Sequence, residues 1–107
     1  MITEVVTWKL PKSITREQVA GAFRKSVPHW QQATGLVRKN YIYDSAAGVA
    51  GGVYLWKHLE DAKRGHDDAF RKRIKDTFGD EPVFAYFETP IAIDNTTGAV
   101  MDEGVGT

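Results

Sequence analysis

The sequence predicts an α+β fold, a four-stranded antiparallel sheet with two helices on one face. Three observations carry that expectation. Apolar residues recur at strand and helix periods in the order β-α-β-β-α-β. A turn signal between the second and third strands makes those two a hairpin. The chain has 107 residues, 42% apolar and 26% charged, with no Pro/Gly/Ser-rich linker, which suits a single globular domain.

The first strand is read at 2–10, ITEVVTWKL, where β-branched and aromatic side chains run up to Pro11, which cannot continue a central ladder. Thr15, followed three residues later by Gln18, is a capping box that opens a helix. Val19, Phe23 and Val27 fall on one stripe of it. Pro28 lacks an amide hydrogen and is expected to end it near Val27, leaving His29 and Trp30 on a short extra turn. GLVRKNYIYD from Gly35 and VAGGVYLWK at 49–57 read as strands joined by a loop at Ser45-Ala46-Ala47-Gly48.

A second helix is expected from Leu59 to Phe78, with Glu60 and Asp61 in its first turn and Gly79 as its stop. Leu59, Ala62, His66, Phe70, Ile74 and Phe78 share one broad face of it. The last strand, PVFAYFETPIAID, is placed at 82–94. This order is the ferredoxin-like split βαβ-βαβ. The domain is thus residues 1–94, and the Gly-rich, aperiodic tail 95–107 is expected to be flexible or draped over a partner.

Both helices take one sheet face, yet the strands are apolar or aromatic at successive positions, as in Val53, Tyr54, Leu55 and Trp56, or Phe84, Tyr86 and Phe87. A strand with one wet face would alternate apolar and polar residues. The second face therefore needs a cover, and a second copy of the chain, sheet against sheet, supplies it. A homodimer is expected.

Charge and composition remove several function classes. Fourteen basic residues balance fourteen acidic ones, so no global field draws in nucleic acid or anionic lipid. The absence of cysteine removes disulfides, thiolate metal sites and a cysteine nucleophile. The N-terminus lacks the basic start and apolar stretch of a signal peptide, and no apolar run is long enough for a membrane span, so a cytoplasmic protein is expected. There is no Gly-x-Ser-x-Gly elbow and no phosphate-binding loop. His58 and His66 would stand about 12 Å apart along a continuous helix, too far to share a metal ion. Neither a metal nor another cofactor is expected.

His66 falls on the apolar helix stripe although its ring nitrogens need partners when buried. A satisfied core histidine is the commoner outcome. As a base it would deprotonate a phenol or enol and make an electron-rich anion. Tyr54 and Trp56 would line an aromatic cavity as donors, or serve as core aromatics. Tyr41 and Tyr86 complete the candidate lining. Arg38 and Lys39 point to opposite faces of one strand, so one of them looks toward a buried side. Arg38 is the candidate anion holder, with pairing to Glu88 as the alternative. Arg71-Lys72-Arg73 and Lys75 read as a solvated helix face around Ile74.

Gly51-Gly52-Val53-Tyr54-Leu55-Trp56, with Gly35-Leu36-Val37-Arg38-Lys39 before it and Phe84-Ala85-Tyr86-Phe87-Glu88-Thr89-Pro90 after it, resembles the YdhR-like group of candidate monooxygenases. That group belongs to the dimeric α/β-barrel superfamily, which includes antibiotic-biosynthesis monooxygenases. The resemblance covers residues 2–94. It implies a homodimer with a pocket in each protomer between sheet and helices, and cofactor-free oxygenation of a small aromatic or enolisable substrate by molecular oxygen. Haem-degrading members of the superfamily carry an Asn on the first strand, where this chain has Thr3 and Thr7, so that activity is not implied. His58 stands where related sequences place a Ser-type helix cap. A non-oxidative lyase, isomerase or cyclase, or a non-catalytic small-molecule-binding dimer, would use the same fold.

Overall fold

The computed structural model describes residues 1–103 of the chain. Its elements are β1 (Ile2–Lys9), α1 (Arg16–Gln31), β2 (Leu36–Asp44), β3 (Val49–Trp56), α2 (Leu59–Gly65), α3 (Asp68–Phe78), β4 (Val83–Glu88), β5 (Ile91–Asp94) and β6 (Ala99–Asp102). The four-stranded sheet has the order β2-β3-β1-β4 with every pair antiparallel, and β5 and β6 pair separately. This is the ferredoxin-like arrangement expected from the sequence. No helix among the described residues is long and apolar enough to cross a membrane.

Strand pleating decides what faces the helices. Glu4, Val6 and Trp8 of β1 are buried and share a face with their register neighbours Tyr54, Gly52 and Ala50. Val19 and Trp30 of α1 and Phe70, Ile74 and Phe78 of α3 close over them to form the core. The glycine pair of β3 serves that geometry. A Cβ on Gly51 would lie 1.8 Å from the carbonyl oxygen of Val6, so only glycine lets β1 and β3 run this close.

α1 opens as expected. The Thr15 hydroxyl accepts from the Gln18 amide at 3.2 Å, and Gln18 Oε1 accepts from the Thr15 amide at 2.9 Å. Its end is a correction: the helix passes through Pro28 to Gln31. Pro28 removes one backbone bond, but Trp30 just beyond it is buried among Tyr54, Phe70 and His66, and that packing holds the last turn.

The single helix expected over 59–78 is two. α2 ends at Gly65, His66 occupies its C-cap with φ −115° and ψ 59°, and Asp67 caps α3 by accepting from the Phe70 amide at 3.0 Å. The Asp67 side chain competes for the backbone and restarts the helix. Leu59 stays exposed, whereas Ala62, His66, Phe70, Ile74 and Phe78 are buried. His58, the residue before α2, makes no side-chain cap.

The strand expected over 82–94 also divides, into β4 and β5, at Thr89-Pro90. Part of the expected tail is ordered: Ala99–Asp102 pairs with Ile91–Asp94 as a hairpin, with Ile93 opposite Val100. Residues 104–107 lie outside the described residues.

The sheet face away from the helices carries Val5, Ile42, Val53, Val83, Ala85 and Phe87. None of the described residues covers its edge, where Val83 is 67% and Phe87 57% exposed. The β5–β6 hairpin likewise presents Ile93 and Val100, each 63% exposed.

Candidate functional site

A cavity of about 690 Å³ lies between the helix-facing side of the sheet and helices α1 and α3. That is the size of a small-molecule site. Its floor is aromatic: Trp8 from β1, Tyr41 from β2 and Tyr54 from β3, with Trp30, Phe70 and Phe78 from the helices. Phe23 and Tyr41 pack at 4.8 Å with their rings tilted by 39°, and Trp30 meets Tyr54 edge-on at 5.1 Å. Ser26 Oγ donates to the Phe23 carbonyl at 2.8 Å, leaving it to accept from the Tyr41 hydroxyl at 2.7 Å. Tyr41 is thereby fixed in the wall.

The charged lining residues are Lys25, Lys39 and Arg73, joined by His29; no Asp or Glu lines the cavity among the described residues. Lys39 Nζ sits 3.9 Å from the ring centre of Tyr41, 4.3 Å from Trp30 and 4.5 Å from Tyr54. Burial and, after it, the Arg73 guanidinium lower its pKa to about 7, against the opposing pull of Glu4. Burial, Arg73 and Lys39 also lower that of His29, against Asp67. Burial, followed by the nearby Glu4 carboxylate, raises that of the Tyr54 hydroxyl well above the ordinary tyrosine value. The cavity thus favours a neutral amine and a protonated phenol on its own walls.

Behind this cavity lies a second polar feature. Glu4 is fully buried; its Oε1 accepts from Trp56 Nε1 at 2.9 Å and lies 2.7 Å from His66 Nδ1. The histidine contact lacks the alignment of a directed hydrogen bond, and its Nε2 is buried without a partner among the described residues. The His66 ring packs 4.5 Å from Tyr54 and 4.4 Å from Phe70, closing the assembly as part of the aromatic core. Tyr86, across from Glu4 on β4, has its hydroxyl pKa pushed up to about 12 by burial and then by the Glu4 carboxylate.

Of the six residues singled out from the sequence, Tyr41 and Tyr54 line the main cavity. His66 stands behind its wall, in contact with Glu4. Trp56 is fully buried and lines a neighbouring cleft of about 330 Å³. Tyr86 is at the sheet edge beside Glu4, and Arg38 is exposed on the other sheet face. Lys39, Trp30, His29, Arg73 and Glu4 were not among the expected site residues. A signal for Lys39 was present: it shares the strand parity of Tyr41, which Arg38 does not. For Glu4 the signal was a carboxyl group in step with Val6 and Trp8. Among the described residues no group of three or more His, Asp or Glu is placed to hold a metal ion.

The fold is the ferredoxin-like α+β arrangement, which solved structures of antibiotic-biosynthesis monooxygenases share. The chain is similar to SnoaB, a cofactor-independent oxygenase from Streptomyces nogalater, with TM-score 0.61 and 11% identity over 82% of this chain and 91% of that one. It is similar to a candidate antibiotic biosynthesis monooxygenase from Bordetella bronchiseptica, with TM-score 0.64 and 13% identity over 82% and 96%. A candidate monooxygenase of the same kind from Deinococcus radiodurans gives TM-score 0.61 and 16% identity over 88% and 97%. At these identities the likeness is one of fold. No family model and no curated protein matches the sequence.

Proposed function

We propose that this protein is a cofactor-independent monooxygenase of the YdhR-like kind, acting on a small, flat aromatic or enolisable molecule bound in the main cavity. The observation that carries this reading is the aromatic-lined cavity itself, in a fold shared with a cofactor-independent oxygenase. Stacking on Tyr41, Tyr54 and Trp30 would orient a planar ring system and exclude water from it.

The chemistry needs an electron-rich substrate. Loss of a proton gives an anion, which passes one electron to molecular oxygen. The resulting substrate radical and superoxide combine through a new C–O bond, and the hydroperoxide so formed loses water to leave a ketone. One oxygen atom stays in the product and the other leaves as water. Tyr41 and Tyr54 are the substrate-contacting hydroxyls in this scheme, while Trp56 and His66 brace the wall through Glu4. Oxygen-electrode measurements with anthrone and quinol substrates are expected to show uptake of one oxygen molecule per substrate, with quinone product. Absence of uptake with every such substrate, under conditions where a related oxygenase turns over, would contradict the reading.

The working form is a homodimer. The apolar sheet face and the hairpin residues Ile93 and Val100 supply a continuous reason for a second copy, since soluble monomers rarely leave such patches open. Light scattering at micromolar concentration should give twice the chain mass, and Phe87→Glu, which puts a charge on that face, should give the single-chain mass. A wild-type protein that is monomeric under these conditions overturns the dimer.

A further inference from the structure

Among the described residues Lys39 has ring faces but no counter-charge for its neighbours. No carboxylate pairs with it among the described residues, and its ammonium would stand against the faces of three rings in a cavity whose other charged lining groups are basic. Room has been made for it: a Cβ on Gly52 would lie 3.1 Å from Lys39 Cε and 2.8 Å from the Tyr54 ring. A half-buried lysine without a counter-ion keeps its charge at a cost, and the group missing from its surroundings is an anion.

We propose that Lys39 is the catalytic base of this cavity, taking the proton from an acidic C–H or O–H of a flat aromatic substrate and then holding the resulting enolate or phenolate as its counter-ion. The inference deepens the oxygenase reading and rests on it for the later step. The electron pair of the broken bond stays on the substrate, the proton goes to Nζ, and a neutral pair becomes an ion pair with no change in net charge. Once oxygen has added, the ammonium returns its proton to the peroxide. The freed amine then takes the hydrogen left on the carbon that bears the peroxide, as a proton, while the C=O forms and the O–O bond breaks, and departing hydroxide collects it as water.

The groups facing Lys39 set its readiness. His29 on α1 and Arg73 on α3 line the same cavity, Tyr41 and Tyr54 flank it on the sheet, and Glu4 acts from behind Tyr54. With its pKa lowered from 10.5 to about 7, much of the amine is free base near neutrality, which is what a base at that pH requires. The unfolded chain holds this proton up to about pH 10.5 and the folded one releases it near 7, so this group adds stability as pH rises through that window. Lys39→Met lacks that slope and should be at least as stable as wild type at pH 7.

The test uses alizarin, a flat hydroxyanthraquinone whose visible absorbance moves to longer wavelength on ionisation and which needs no oxygen. At a pH where the free dye is protonated, wild-type protein should bind it as the long-wavelength phenolate. Lys39→Met should retain binding but show only the neutral spectrum. A neutral spectrum in wild type, or a phenolate spectrum surviving in Lys39→Met, overturns the role of Lys39 and leaves the cavity reading standing. Failure of wild type to bind the dye overturns both. Wild-type protein treated with limiting acetic anhydride at pH 7 gives a check that needs no variant. Lys39 should be acetylated ahead of the other lysines and be protected by the dye, and the opposite order counts against the proposal.

Discussion

Glu4→Ala should cost about 3–5 kcal/mol of folding stability, the range for breaking a buried polar pair and leaving its partner behind. Glu4 is wholly buried, and its Oε1 is the acceptor for Trp56 and the close neighbour of His66. Its removal strands an indole N–H and an imidazole in the centre of an aromatic core and opens a void beside them. In urea unfolding the midpoint should fall with little change in slope, and the thermal midpoint should drop by more than about 10 °C. Glu4→Gln keeps an acceptor for Trp56 and should lose only about 1–3 kcal/mol. His66→Ala should not add fully to Glu4→Ala, with a coupling above about 0.5 kcal/mol, because both changes break one contact. Additive losses would mean that the two side chains do not act as a unit.

Gly21→Phe should weaken ligand binding at least tenfold while preserving the fold. Gly21 lies inside α1 and lines the main cavity, and a Cβ added there meets no atom within 4 Å. The Cβ of a larger residue therefore starts in open space at the cavity lining, and a phenyl group there is expected to fill part of the cavity. Glycine in a helix interior costs roughly 0.5–1 kcal/mol relative to a better helix former, so the substitution should leave the thermal midpoint equal or higher. Affinity for a planar aromatic ligand should fall at least tenfold. The two variants separate the roles of neighbouring groups: one removes stability from behind the wall, and the other removes space in front of it.

Much of the fold was legible because the sheet and α1 are built from local signals that agree with one another. The capping box at Thr15 and Gln18 forms as the sequence suggests, and the hairpin at 44–48 has its Asp44 side chain accepting from Ala47 and Gly48 at φ 66°. The same Asp-x-x-x-Gly spacing recurs at Asp94 and Gly98, where Gly98 takes φ 76° and donates to the Asp94 carbonyl at 2.7 Å. The sequence signal of that second hairpin is weak, because its strands are short and flanked by small, polar residues. Two other departures come from competition between local rules and packing. Pro28 is tolerated because Trp30 is buried, and the Asp67 side chain breaks a helix that the apolar stripe alone would continue.

The site was only half legible for a related reason. Periodicity identifies which residues share a face, but the cavity is formed by faces of five segments, β1, α1, β2, β3 and α3, meeting, which no local pattern records. Tyr41 and Tyr54 were found from their aromatic character. Two-residue alternation from Tyr41 selects Lys39 and not Arg38 as the inward residue, and the bulge between Leu36 and Arg38 sets that phase apart from the start of the strand. His66 stood out from the sequence for good reason, since it is buried and polar. Its partner is a residue on β1, sixty-two positions earlier, and only the register of β1 between β3 and β4 brings Glu4 to it.

The account stands on one claim, that the space enclosed between the sheet and helices α1 and α3 is where a small, flat, acidic molecule is held. Parallel absorbance titrations of alizarin into wild-type protein and Gly21→Phe examine that claim most directly. Saturable binding to wild type, with at least tenfold weaker binding to an equally stable Gly21→Phe, is the predicted result. Equal affinity in the two proteins would place the ligand elsewhere and contradict it.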